Sequence, residues 1–448
     1  MKILKRSFCI VLICAMLFAF AGCDAATSLL GDALNKIAEA DNSVTQPALE
    51  NISNLNPTQN LETNYTAMQL AHGYDALLTD SQRECYDKLK SSVYNVSNTA
   101  DEGGTYSTES LLMPNEFGTY DMRLSLNAFM EDHPEVFWLD TSFTFSTNNN
   151  GVFYTPLSLF NGDELGVMIP VFNNKIDDVF SAMPENLTEY EREVFLHDYI
   201  LNSVTYDDAA VDSDVNSEYS YNSYGALVNG LAVCEGYSEA FLLLLSLGGI
   251  EGCNITGTAD GGPHLWTAAK ISGNWYYVDT TFDDSSSTGS DFAELNRYKY
   301  FNITTEQLAQ DHEISPIFNE LSKSQVVGSS TESPALFNLF VPQCTAVDMN
   351  YYRKELPHIT DLSQRNRNEL SEELLKAAED GEDYFAMFAD PEYIGVEDAY
   401  TLLFDDEKYY FEFVDYVNYT SDEVELLSRA TTQKIEAQNV IIASIIYD

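Results

Sequence analysis

The chain changes its pattern of apolar and polar positions several times. The first apolar run, 8–20, follows Lys2, Lys5 and Arg6 and ends in small residues before Cys23. That is the layout of an export signal over 1–22, not of a folded element. Residues 23–60 are rich in Asn, Ser, Thr, Ala and Asp, with one weakly amphipathic stretch near 29–37 and breaks at Pro47 and Pro57, as in a spacer. A first folded region, 61–184, opens with helical periodicity over 77–94, with Thr79 or Asp80 as N-cap. A second helix around 122–132 follows, then strand-like runs at 135–145 and 152–157. His133, beside Pro134 at the helix-to-strand junction, reads as a turn residue.

Region 185–327 holds the longest later apolar stretch, 240–247, which is too short to span a bilayer and reads as a buried helix. A Ser-rich loop at 285–290 interrupts this region, and GSSTESP (328–334) leads out of it. Region 335–448 alternates elements: helix 362–378, strand 384–389, helix 396–403, strand 408–417, helix 421–429 and strand 440–447. It reads as a small α+β domain. No internal repeat is present.

Three segments of the middle region bring chemistry together. SYGALVNGLAVCEGYS (223–238) places Cys234 in the first turn of the buried helix. There the free N–H groups and the positive dipole end favour a thiolate and offer oxyanion donors. PHLWTAAK (263–270) is a strand with His264 and Trp266 on one face. NWYYVDTTFDD (274–284) returns beside it through a tight turn at 272–274, so that Asp279 reaches His264. Thiolate, imidazole and orienting carboxylate are the roles a cysteine nucleophile needs. Each residue alone would be read as packing or turn structure; their joint spacing reverses that reading. Tyr224 is the candidate second oxyanion donor, and Trp266 the candidate for contact with substrate.

These blocks resemble the transglutaminase-like superfamily in its bacterial exported branch, over about 188–300. The resemblance implies a papain-like core in an α+β fold: a helix bearing Cys packed on an antiparallel sheet that carries His and Asp, flanked by N-terminal and C-terminal α+β regions. It assigns the nucleophile to Cys234, the general base and acid to His264 and the orienting carboxylate to Asp279. The segment LHDYI (196–200) resembles the helix before that core, with His197 structural. Leu265-Trp266-Thr267 after the histidine, Ser238 and Phe282 depart from the family pattern, which bears on substrate fit more than on chemistry. The sequence FAGC ending at Cys23 resembles a bacterial lipobox, implying a lipidated Cys23, a membrane anchor and an extracytoplasmic location. Phe20 stands where Leu is commoner.

Composition narrows the partners. Of 448 residues, 45% are hydrophobic and 12% aromatic, which is globular, while 22 Lys+Arg against 71 Asp+Glu give a net charge of -49. Such a chain repels phosphate, so nucleic acid is excluded as a partner. The acidity reads first as a solvated surface and second as attraction for cationic substrates. Among seven cysteines there is no CxxC pair and no His spacing for zinc, so no metal or cofactor is implied, and a calcium requirement stays open. With Cys234 free, at most one disulfide can join Cys85, Cys253 and Cys344.

The expected function is therefore that of a surface-anchored cysteine enzyme acting on peptide or glutamine carboxamides through a thioester. Hydrolysis, as in a peptidase or deamidase, stands slightly ahead of amine cross-linking. The alternative is a non-catalytic surface module that binds a protein or peptide with the same fold.

Overall fold

The computed structural model describes residues 70–448 apart from 102–103, 214–216, 288–291 and 329–332. The expected signal, the spacer and Cys23 lie outside the described residues.

Helix α1 (Asp80–Ser92) starts where the pattern places it. Thr79 accepts from the Gln82 N–H, and the Gln82 side chain returns to the Thr79 N–H, a reciprocal cap. Helix α2 (Thr119–Asp132) packs against α1 and buries Leu124, Ala128 and Phe129. His133 caps its C-terminus and bonds Glu135 at 2.8 Å, the turn role its sequence context indicates. Strands β1 (Leu139–Asn148) and β2 (Gly151–Ser158) pair antiparallel, and two short strands, Tyr106–Ser107 and Leu111–Met113, also pair with β2. Helix α3 (Gly162–Ala182), capped by Asn161, is missing from the sequence reading. Its Pro170 masked an apolar spacing that does continue through Leu165, Ile169, Phe172 and Ile176.

Helix α4 (Glu189–Ser203) runs beside the apolar helix α5 (Cys234–Leu247). Strands β3 (Glu251–Ala259), β4 (Gly262–Ile271) and β5 (Asn274–Val278) form a meander, followed by α6 (Thr280–Ser287) and β6 (His312–Ile314). The β4–β5 turn uses Ser272 and Gly273 at φ 51 and 84, the two-residue hairpin expected there. The antiparallel sheet order is β6-β3-β4-β5, and α5 packs across β3 and β4. This is the helix-on-sheet α+β core that the blocks led one to expect.

The apolar core under this sheet is continuous with that of the first region, running from Leu77 through Trp138 and Phe172 to Phe241 and Tyr352. The segment 335–350 belongs spatially to the same body. Asn338 bonds both sides of Thr256 in β3, and the Pro342 carbonyl accepts from Tyr277.

The last region builds a second core. Its helix α7 (Gln364–Glu379) packs on α8 (Tyr409–Thr420), beside a sheet of His358–Ile359, β7 (Tyr384–Ala389), β8 (Thr432–Ile435) and β9 (Val440–Ser444). Two expectations need correction here. The run 408–417 is helix and not strand, because its buried positions, Tyr410, Phe413, Val414 and Val417, follow the 3.6-residue period beneath a dense aromatic content that mimics alternation. Segment 421–429 is not helical; the next regular element is β8.

Candidate active site

Cys234 is the first residue of α5 and is partly exposed. Gly236 lets the preceding loop lie on this first turn: a Cβ there would stand 2.6 Å from the Ser220 carbonyl oxygen and 2.8 Å from the Ala232 Cβ. The helix is stitched to the histidine strand by Ser238, whose hydroxyl donates to the Leu265 carbonyl at 2.9 Å, which gives that departure from the family pattern a role.

His264 Nε2 lies 2.7 Å from Asp279 Oδ2. That leaves Nδ1 available to Cys234, whose side chain also raises the proton affinity of the ring. Burial pulls the imidazole pKa down, but the charge of Asp279, its hydrogen bond and the Cys234 partner outweigh it and push the ring up to about 10. Asp279 sits between β5 and α6 and caps that helix, with Oδ1 accepting from the Thr281 and Phe282 N–H groups, each at 3.0 Å. Burial alone would raise its carboxyl, yet the two imidazoles facing it hold it well below the usual carboxylate range. Cysteine, histidine and aspartate thus come together as their spacing implies.

The two other candidates do not take the expected places. Trp266 is 0% exposed, so substrate cannot reach it. It stacks under His264, with ring centroids 5.9 Å apart, in a slot over Gly257 of β3. Tyr224 is turned into an aromatic cluster, 4.9 Å from Phe137 and 6.0 Å from Phe172, since its backbone enters a tight turn of π-helix at Gly225–Asn229. A different tyrosine stands at the nucleophile. Tyr206 is exposed on the two-residue strand Thr205–Tyr206, which pairs with Leu231–Ala232 just before Cys234. Burial first and the Cys234 charge second push its hydroxyl up to about 12, so it remains a proton donor throughout the neutral range. The sequence carries no motif that marks it: Tyr206 stands three residues past the end of α4.

His312 was also missed. Its Nε2 lies 3.0 Å from Asp279 Oδ2, the same oxygen that His264 uses. No motif marks it; it arrives because β6 pairs with β3 from a segment 33 residues beyond Asp279. Donor atoms of His264, Asp279 and His312 fall within 4.8 Å of one another, a span a metal ion could occupy. Both imidazoles aim at one carboxylate oxygen at hydrogen-bond distance, so the cluster reads as hydrogen-bonded. His197 is buried between Asp198 and Asp283, consistent with a structural role.

Two adjoining clefts, of about 210 and 140 Å³, flank the start of α5 and share Met130, Thr141, Glu235 and Glu239. Glu131 lines the smaller one. Burial pushes the Glu235 carboxyl up to about 7 and Glu131 to about 8.

Residues 181–280 match the family model described as Transglutaminase-like superfamily, the stretch that contains all three members of the Cys-His-Asp group. No curated protein matches by sequence. Among solved structures, a crystal structure of a TGase is 16% identical, with TM-score 0.23, covering 38% of this chain and 50% of that one. A "putative cysteine protease" from Cytophaga hutchinsonii is 16% identical, with TM-score 0.21, covering 31% of this chain and 61% of that one. The match thus spans between half and two thirds of those structures' lengths.

Proposed function

We propose that this protein is a thioester-forming cysteine acyl-transfer enzyme, exported and held at a membrane by lipid on Cys23. The observation that carries the reading is His264 placed between Asp279 and Cys234, with its proton affinity raised to about 10 by both. An imidazole so held accepts the thiol proton and keeps it until a leaving group needs it. Cys234 Sγ attacks the carbonyl of a peptide or glutamine carboxamide. As the C–N bond breaks, His264 delivers its proton to the departing amine, leaving a thioester on Cys234. Water or a second amine then attacks, giving its proton to His264, and the thiolate leaves. The N–H groups at the Cys234 end of α5 and the Tyr206 hydroxyl, whose strand pairs with the residues just before Cys234, are the oxyanion donors of this reading.

The clefts bear on which group resolves the thioester. Burial raises the carboxyls of Glu131, Glu235 and Glu239 in these clefts, so they favour a substrate with a cationic group only as they ionise, from about neutral pH upwards, and there an amine acceptor draws level with water.

Two measurements test the proposal. Iodoacetamide should label Cys234 near neutral pH faster than Cys85 or Cys253; equal rates defeat it. Glutamine peptides with a fluorescent amine then separate the outcomes. Incorporation lost in Cys234→Ala indicates cross-linking, and cleavage or deamidation without incorporation indicates hydrolysis. For the anchor, labelled fatty acid should be incorporated in a bacterial host and lost in Cys23→Ser. Among the described residues no helix is long and apolar enough to cross a membrane.

A further inference from the structure

Asp279 is a saturated acceptor. Its Oδ1 takes the N–H groups of Thr281 and Phe282, and its Oδ2 takes His264 at 2.7 Å and His312 at 3.0 Å. A carboxylate offers about four lone-pair sites, and all are used. The orienting group of a nucleophile–base pair needs only one bond to the base, so the second imidazole on the same oxygen calls for an explanation.

His312 is itself held from both sides. Its side chain has no exposure, and Nδ1 lies 2.6 Å from Asp311 Oδ1. Asp311 Oδ2 accepts from the Tyr300 hydroxyl at 2.6 Å, and the Asp311 side chain is one-third exposed. Each ring nitrogen of His312 therefore faces a carboxylate oxygen, so an N–H on either side finds an acceptor. The ring is fixed by packing as well: Trp266 meets it edge-on at 5.1 Å and Phe282 at 4.7 Å. The sheet makes this possible through its small residues. His312 stands opposite Ala259 and His264 opposite Gly257, so the two imidazoles, 5.5 Å apart, approach across a strand that puts no bulk between them.

We propose that His312 is a positioning residue of this active site: it pins the Asp279 oxygen that orients His264, extending the reactive group from Cys234–His264–Asp279 through His312 to Asp311 near the surface. The proposal rests on the reading of Cys234 as the nucleophile. A second donor on Oδ2 keeps the carboxylate from rotating and keeps it ionised in a buried place, so that the proton exchanged with the thiol stays on His264.

The test compares wild type, His312→Leu, which removes the donor, and His312→Gln, which keeps one N–H donor. Folding is checked by circular dichroism and thermal melting. Three quantities are read: kcat, KM and the pH midpoint of Cys234 alkylation by iodoacetamide. The expectation for His312→Leu is a kcat lower by about ten- to a hundredfold with KM within about twofold, the scale seen when an outer partner of an active group is lost. Its alkylation midpoint should move up towards that of an ordinary thiol, and His312→Gln should recover part of both. Asp311→Asn, at the surface end, should move the midpoint in the same direction by less. A midpoint unchanged in folded His312→Leu, or His312→Gln as impaired as His312→Leu, overturns the proposal. If neither buried variant folds, an unmoved midpoint in Asp311→Asn overturns it. Failure of the nucleophile reading looks different: wild type itself then shows no enhanced alkylation at Cys234.

Discussion

The indole of Trp266 fills the space in which a side chain on Gly257 would stand. A Cβ there would lie 2.6 Å from Trp266 Cη2 and 2.2 Å from the Glu313 carbonyl oxygen. The strand that carries His312 and the ring beneath His264 both depend on the missing methyl. Gly257→Ala is therefore expected to push β6 and Trp266 apart, costing about 1–3 kcal/mol of stability as overpacking. Thermal melting checks the stability, and slower alkylation of Cys234 in the folded fraction checks the link to the site.

The raised proton affinity of His264 has a signed consequence. An imidazole whose folded pKa, about 10, lies above the unfolded value of roughly 6.5 contributes stability that is complete below the lower figure and lost as pH rises through the upper one. Melting temperature should fall between those limits, and Asp279→Asn should flatten that slope. Turnover should decline on the same alkaline limb, since His264 no longer has a proton for the leaving amine. A limb left unmoved by Asp279→Asn would count against the assignment.

Tyr206 and Tyr224 make a paired comparison. Tyr206→Phe removes a hydroxyl beside the nucleophile and should lower kcat by about 10²–10³, the usual loss for one oxyanion donor. Tyr224→Phe, in the aromatic cluster with Phe137 and Phe172, should leave kcat within about twofold. Steady-state kinetics on one amide substrate decide between them; equal effects would remove Tyr206 from the site.

Glu235→Gln and Glu239→Gln test the cleft. With peptides that differ only in a Lys or a Glu near the reacting glutamine, wild type should come to favour the lysine peptide in kcat/KM as pH rises through about 7, where the buried Glu235 carboxyl ionises. The double variant should lose most of that preference, and added salt should shrink it in wild type. A preference the substitutions leave intact would place the cationic group elsewhere.

Glu193 of α4 is fully buried, with one oxygen accepting from Asn302 at 2.7 Å and the other without a partner. Burial pushes its carboxyl up to about 8. The protonated form is thus the one the fold favours, and stability is lost as pH climbs from the ordinary carboxyl range towards 8. Glu193→Gln should melt higher than wild type by a margin that widens over that interval. A constant margin would mean that Glu193 is not the titrating group.

The reactive group was legible in the chain because its members lie on consecutive elements. A helix start, a strand and a hairpin return fix Cys234, His264 and Asp279 by local spacing alone. The two residues that escaped notice have no such marker. His312 reaches Asp279 only because β6 pairs on the far side of β3, and Tyr206 reaches Cys234 through a two-residue strand pair. Trp266 was placed on the correct face, but alternation does not tell a residue lining a cleft from one lying under the base. The same limit explains α8: its dense aromatics satisfied period two as well as period 3.6, and only the buried set Tyr410, Phe413, Val414 and Val417 separates them. Helix α3 was hidden by Pro170, which a helix of 21 residues accommodates.

The remaining described cysteines are all unpaired and shut away. Cys85 and Cys344 have thiols pushed up to about 12 by burial, and Cys253 is raised by the same cause. Among the described residues Cys234 is therefore the single accessible thiol. In a chain with Cys9, Cys14 and Cys23 replaced by Ser, one equivalent of an alkylating dye should count competent molecules directly, and a preparation that takes up more has begun to unfold.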